Sequence, residues 1–313
     1  MERRNQTTVT YFIIEGLSDL PELQTPIFFL VLFIYLFSLG GNMTIFLLVC
    51  LDHQLHTPMY FLLANLSILD MFSTTVTLQN ILIGFVRRDS RISYGACLSE
   101  MYIYGFLICD ELLILTAMGY DRYVAICKPL QYHLIMNHRI CIFMGTICWL
   151  LGIIEVIPYI VILSGFTCYT SNVINHFFCD LVPLVKLSCS DTTAMEIVCL
   201  IDGFILISFT PFLLTFISYI FIISSILKIT SNIGRRKAFY TCSSHLTVVI
   251  LLYSSLFFQY LRPTSMDTTK SNKYFSLYNT AALPILNPII YSLKNKDVKS
   301  AMIQRAHWFK VCI

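Results

Sequence analysis

The sequence predicts an all-α membrane protein, a seven-transmembrane helix bundle with short loops. Three observations predict it. Of 313 residues, 57% are hydrophobic and only 12% are charged, whereas soluble chains carry about 25% charged residues. Apolar stretches recur at 25–50, 58–85, 95–127, 139–163, 195–228, 237–261 and 271–293. Each exceeds the roughly 20 residues that a helix needs to cross the hydrocarbon layer.

The elements follow in order. Residues 1–24 are polar or mixed with no apparent cleavable leader, so they are expected outside, with the first span as the targeting signal. Asn5-Gln6-Thr7 in that segment is a glycosylation sequon. Pro58 opens the second span, where a helix's first turn requires no amide donor. The third closes on Asp121-Arg122. A charge at mid-membrane costs roughly 2.5–3.5 kcal/mol, so this pair is expected at the membrane–water edge. Lys128-Pro129 and His138-Arg139 fence the third span from the fourth. Arg235-Arg236-Lys237 precedes the sixth as a positive flank that would meet lipid headgroups or a partner. In the tail, 294–313, lysines interleave with Val298, Met302, Ala306 and Phe309, as in a short helix lying on the inner leaflet. Cys312 there is a candidate for acylation.

Several function classes fall away. Net charge is only +3, too small to point to nucleic acid. The seven histidines form no metal-binding spacing, and no nucleophile elbow or phosphate-cradling glycine loop is present, so an enzyme is disfavoured. No internal repeat points to a transporter.

The motifs are more specific. Met118-Gly119-Tyr120-Asp121-Arg122-Tyr123-Val124-Ala125-Ile126-Cys127-Lys128-Pro129-Leu130-Gln131-Tyr132 resembles the signature of olfactory receptors, within the rhodopsin-like G-protein-coupled receptors. It departs at Gly119, where the family has Ala. The likeness continues through Gly41-Asn42, Leu55-His56-Thr57-Pro58-Met59-Tyr60-Phe61 and Asn65-Leu66-Ser67-Ile68-Leu69-Asp70. It resumes at Lys237-Ala238-Phe239-Tyr240-Thr241-Cys242-Ser243-Ser244-His245-Leu246, where Tyr240 replaces the usual Ser, and at Pro284-Ile285-Leu286-Asn287-Pro288-Ile289-Ile290-Tyr291. Tyr260-Leu261-Arg262-Pro263 resembles the tetrapod-type subgroup. Tyr253 stands where most rhodopsin-like receptors carry a tryptophan, and no proline follows it in the span.

The resemblance implies a rhodopsin-like fold with its N-terminus outside. Lysine and arginine then number 12 inside against 9 outside, a weak bias in the same sense. Four cysteines fall in outer segments, Cys97, Cys168, Cys179 and Cys189, and allow three pairings. The resemblance implies Cys97–Cys179; a second bridge, Cys168–Cys189, is an expectation beside it, with Cys168 one residue further from the loop motif than the pattern has it. It implies no catalytic cofactor, a heterotrimeric stimulatory G protein as partner, and a multi-pass place in the plasma membrane of sensory cilia. The same fold sensing a metabolite elsewhere is the alternative.

Candidate site residues follow from depth along the helices. Asp70 lies roughly 18 Å outward from Pro58, and Glu111 roughly 16 Å outward from Arg122, so the two share a level. Two carboxylates there need a cation or a proton. The resemblance implies a structural sodium ion; a hydrogen-bonded network with one acid protonated is the plainer reading. Tyr104 and Ile108 share a helical face, with Gly105 and Cys109 beside them. Tyr253, Leu256, Phe257 and Tyr260 form a stripe on the sixth span. Gly203, Ile207 and Thr280 reach the same depth, which outlines a pocket for a small, mostly apolar, odorant-like ligand. For G-protein coupling the resemblance points to Asp121, Arg122, Tyr123, Tyr219 and Tyr291. Glu155 and Asp202 are acids in outer halves of spans, suited to an amine or other donor on a ligand. Tyr104 occupies the position at which amine receptors carry an aspartate, so a cation is not the default ligand.

Overall fold

A computed structural model gives the structure of the protein and describes residues 9–18, 20–260, 269–294 and 296–312. Asn5, Arg262 and Pro263 lie outside the described residues, as do the side chains of Tyr260, Ala306, Phe309 and Cys312.

The first three spans are Pro21–Leu51, Pro58–Arg87 and Tyr94–Cys127. At 1.5 Å per residue, helices of 30 residues or more outreach the roughly 30 Å hydrocarbon core. Local chemistry sets their ends. Pro58 sits at the start of the second, and Arg88, in the left-handed region at φ 52°, stops it. The Ser93 hydroxyl accepts from the Ala96 amide at the third. Asn137 does the same for Ile140 at the fourth.

Two spans are irregular. The fourth is broken at Val156 into His138–Glu155 and Ile157–Ser164, because Pro158 offers no amide to the preceding turn. Tyr102 donates to the carbonyl of Ile153 beside this break, at 3.1 Å. The fifth runs from Thr193–Val198 through a widened π-helical stretch, Cys199–Phe209, into Thr210–Leu227. Ser208 and Thr210 donate five residues back to the carbonyls of Gly203 and Ile205. The sixth span is Asn232–Tyr260. Thr269–Leu277, Tyr278–Ala282 and Leu283–Lys294 make the seventh, and Lys296–Cys312 the tail helix.

Six of these helices are long and apolar enough to cross a membrane. The seventh carries buried Asn272, Lys273, Ser276 and Asn279 in its outer half, which dilutes its hydropathy. The bundle wears its apolar side chains outward, with Phe29, Phe33, Phe143 and Phe216 exposed, and keeps Asn42, Asp70, Glu111 and Asn287 inside. Gly41 permits the first and seventh spans to touch, since a Cβ there would sit 3.0 Å from Pro288. One residue on, the Asn42 amide donates to the carbonyl of Pro284 at 2.8 Å.

The outer end adds what an all-helical reading does not anticipate, a three-stranded sheet. Its central strand β1, Tyr11–Ile14, pairs antiparallel with β2, Arg91–Ser93, and parallel with β3, Val173–Ile174. Phe12 is fully buried beneath it among Cys97, Cys179 and Leu163. Disulfides join Cys97 to Cys179 and Cys168 to Cys189.

Candidate functional site: an outer apolar cluster above a polar inner end

The candidate ligand residues converge on the outer half of the bundle. Tyr104 is buried, its ring edge-on to Phe178 with centroids 4.8 Å apart. It shares a cluster with Phe177, Ala281 and partly buried Ile108. Ile108 also belongs to the main core, with Cys109, Val156, Ile207, Tyr253 and Leu256. Gly105 lets Val156 approach, since an added Cβ would stand 3.0 Å from its methyl group. At Gly203 likewise, an added Cβ would stand 2.8 Å from the Tyr159 hydroxyl. Tyr253 packs edge-on to Phe212, and Thr280 is buried with its hydroxyl on the Ser276 carbonyl. Phe177 and Phe178 of the second outer loop, both fully buried, pack onto this apolar cluster beside Tyr104.

Phe257 requires a correction. The helical stripe groups it with Leu256, yet Phe257 is 58% exposed and packs against Phe258, whereas Leu256 is buried. Neighbours on a helix are turned about 100° apart, so the edge of an apolar stripe cannot be fixed by spacing alone. The inward neighbours are polar: Ser255 and Gln259, which hydrogen-bond Asn279 and Ser276 of the seventh span.

Above the apolar cluster the loop is anchored by buried polar groups. Glu100 accepts both Asn80 contacts, at 2.8 and 2.9 Å, and the Cys179 amide at 3.4 Å. Burial and the nearby Lys273 charge push the His176 imidazole down to about 3. Its Nδ1 lies 3.2 Å from the Phe178 carbonyl, which must accept, so Nδ1 carries the proton. Burial pushes the Asp180 carboxyl up to about 6.

At the middle level, the Asn287 amide donates to both oxygens of Asp70, at 3.2 and 2.9 Å, with Glu111 within electrostatic reach. The carbonyl oxygen of Asn287 and the hydroxyl of Tyr291 are buried without partners. Among the described residues no group of three or more His, Cys, Asp or Glu could hold a metal ion.

The inner end holds two polar locks. Arg122 pairs with Asp121 through Nε at 3.0 Å, and the Tyr132 hydroxyl donates to the other Asp121 oxygen at 2.8 Å. Asp121 is fully buried behind them. The second lock centres on His245, which sequence reasoning passes over as one of several scattered histidines. Its Nε2 donates to the Leu115 carbonyl at 2.9 Å. That leaves Nδ1 to accept from the Tyr219 hydroxyl at 2.7 Å, joining the third, fifth and sixth spans. A histidine in an otherwise apolar span is the signal that could have found it. Tyr123 packs 6.0 Å from Phe221, and Tyr291 is buried. Tyr60 donates to Asp297 at 3.0 Å, which ties the tail helix to the second span.

The sequence family explains this layout. The profile for the olfactory receptor family matches residues 31–307. The chain belongs to the olfactory receptor family. It is 44% identical over 303 residues to olfactory receptor 8A1 of Mus musculus, covering 96% of this chain and 97% of that one. It is 42% identical to olfactory receptor 6C3 of Homo sapiens, with 97% of each covered. The crystal structure of squid rhodopsin superposes with a TM-score of 0.70 over 91% of this chain and 80% of that one, at 20% identity. The olfactory receptor fold here is therefore a rhodopsin-like seven-span bundle, and the chain is a multi-pass membrane protein of a family of odorant-sensing receptors rather than of enzymes.

Proposed function

We propose that this olfactory receptor binds small, mostly apolar odorants in a chamber within the apolar cluster beside Phe177 and Phe178, and activates a stimulatory, olfactory-type G protein that raises cyclic AMP. The observation that carries the reading is the vertical order of the bundle. An apolar cluster that includes Tyr104, Ile108, Ile207 and Leu256 stands above the locks at Arg122 and His245, on shared helices. A ligand shifts the receptor only through its preference for one arrangement. Contacts to the third, fifth and sixth spans supply that preference, because those spans meet at His245.

In the active arrangement Arg122 leaves Asp121 for the G protein, while Tyr123, Tyr219 and Tyr291 line the opened inner face. Asp70 and Glu111, with the unpartnered Asn287 carbonyl, supply the hard oxygen donors that suit a sodium ion. Such an ion would hold the second, third and seventh spans in the resting arrangement. Glycosylation at Asn5 and residence in the plasma membrane of sensory cilia belong to the same reading.

A broad odorant panel with a cyclic AMP reporter in transfected cells tests it. Several neutral odorants should activate the wild type, and Arg122→Ala should be silent at matched surface levels. A responsive Arg122→Ala receptor would remove the coupling role. For the ion, Asp70→Asn should abolish any sodium dependence of agonist affinity; sodium sensitivity that survives it would refute the site.

A further inference from the structure

One motif residue is left unexplained by the locks. Gly119 is buried in the inner half of the third span, two residues before Asp121, where the olfactory signature has alanine. Glycine inside a helix is unfavourable beside alanine, because its backbone has more freedom to lose. Two ordinary reasons for a glycine fail here. The backbone does not demand it, since the positive-φ residues among those described are Arg88 and Gly16. Close packing does not demand it either. A Cβ built at Gly119 would meet Cε1 of His245 at 3.5 Å and Cγ2 of Thr215 at 3.6 Å, both ordinary van der Waals contacts. At Gly41 and Gly105 the same atom would be crowded to 3.0 Å, and at Gly145 to 3.1 Å.

The atoms that such a methyl group would touch belong to the inner lock. In the helix, the Gly119 amide addresses the carbonyl four residues back, that of Leu115. The same carbonyl accepts from Nε2 of His245 at 2.9 Å. Thr215 of the fifth span donates to Thr116 of the third at 3.3 Å. One turn beyond Thr215, the Tyr219 hydroxyl meets Nδ1 of His245 at 2.7 Å. Gly119 therefore faces the fifth and sixth spans at the level where both are held to the third.

We infer that Gly119 is a positioning residue that keeps this lock loose. By omitting a methyl group that would rest on His245 and Thr215, it withholds a contact that exists only while the three spans stay together. The inference rests on the reading of His245 as part of the resting arrangement, and deepens it by naming what sets the ease of opening. Helix propensity at this position weighs equally on both arrangements, because the third span is helical in each, so it cancels from their balance. The contact with His245 does not cancel, since the sixth span carries that ring away as the lock opens. One buried methyl group shifts such a balance about fourfold.

The purified full-length receptor in lipid nanodiscs allows a direct test through Cys242, a free thiol buried on the sixth span beside the lock. A buried thiol reacts only when its surroundings open, so its labelling by N-ethylmaleimide, read by peptide mass spectrometry, follows the open population. Gly119→Ala should slow labelling of Cys242 about fourfold. Labelling of the exposed free thiol Cys50 on the first span should not change. In the His245→Ala background the added methyl group has no partner on the sixth span, and the slowing should disappear. Unchanged or faster labelling in Gly119→Ala, or a slowing that survives His245→Ala, would overturn the inference. The first comparison needs a helix-favouring variant alone, so a misfolded His245→Ala leaves it standing. The broader reading fails separately. If Gly119→Ala slows labelling yet leaves odorant-independent cyclic AMP unchanged at matched surface levels, the lock loses its coupling role while Gly119 keeps its place in the lock.

Discussion

The outer and inner ends of this bundle are built on opposite principles. The outer end is cross-linked by two disulfides, a three-stranded sheet and the buried Glu100 anchor. The inner end relies on single side-chain contacts between spans, Arg122–Asp121–Tyr132 and Tyr219–His245–Leu115. Covalent closure resists any rearrangement, whereas a few hydrogen bonds can be exchanged at modest cost. Under the proposed function, the contrast gives rigidity to the end that would bind ligand and switching to the end that would couple.

The strongest way to break the comparison is to cut the outer staple. Cys97→Ser opens a bridge between residues 82 apart, and loss of such a bridge typically costs about 2–5 kcal/mol. Surface receptor should fall close to background. The bridge from Cys168 to Cys189 spans only 21 residues, so Cys168→Ser should be the milder lesion. Equal surface levels for the two variants would contradict the entropic ranking.

Next in size comes the inner lock. His245→Ala removes the hydrogen bonds to the Leu115 carbonyl and the Tyr219 hydroxyl, the latter keeping its contact with the Cys242 carbonyl at 3.2 Å, and each lost bond costs about 0.5–1.5 kcal/mol. That penalty falls on the resting arrangement, so ligand-independent signalling should rise roughly tenfold per 1.4 kcal/mol. Unchanged basal signalling at normal surface levels would show that His245 is merely structural.

The roof should also respond to pH. His176 is held down at about 3 when folded, against an ordinary 6.5. The unfolded loop therefore takes up a proton that the folded one refuses, and stability drains away as pH falls from about 6.5 toward 3. Asp180 acts with the opposite sign, because its folded value is raised from 3.8 to about 6. Its folded form keeps a proton that the unfolded form releases, so it adds stability as pH falls through that window. The His176 shift is the larger, so the protection of amides along β1, corrected for the intrinsic pH dependence of exchange, should fall on acidification. His176→Gln should retain more of that protection at pH about 5 than wild type; identical profiles would remove His176 as the cause.

A paired comparison sharpens the boundary of the proposed chamber, its smallest expected effect being at Phe257. Leu256→Ala removes a buried side chain, which typically costs about 2–5 kcal/mol, and should also shift agonist potency. Phe257→Ala, at an exposed position, should change stability by no more than about 0.5 kcal/mol and leave potency alone. A potency shift at Phe257 would return it to the chamber.

Much of this architecture is legible in the order of the amino acids. Charge depletion and recurring apolar runs locate the spans, and the Asp121-Arg122 boundary locates the inner edge. The depth count places Asp70 and Glu111 at one level. What escapes is rotational. Asp110 and Glu111 are adjacent acids in one helix, yet Glu111 lies near Asp70 while Asp110 lies against Gly152. Leu256 and Phe257 part company in the same way. The strands β1 to β3 escape as well, being at most four residues long and paired across loops.

By itself the sequence determined which segments leave water and where their charged ends must stop, because transfer into lipid is a property of each stretch taken alone. Only the tertiary structure decided that Asn287 meets Asp70 across 217 residues, that His245 bridges three spans and that Asp110 is left without a partner. Those outcomes depend on how each helix is rotated and tilted against its neighbours. Packing between spans fixes that rotation, and hydropathy along the chain carries too little information about it.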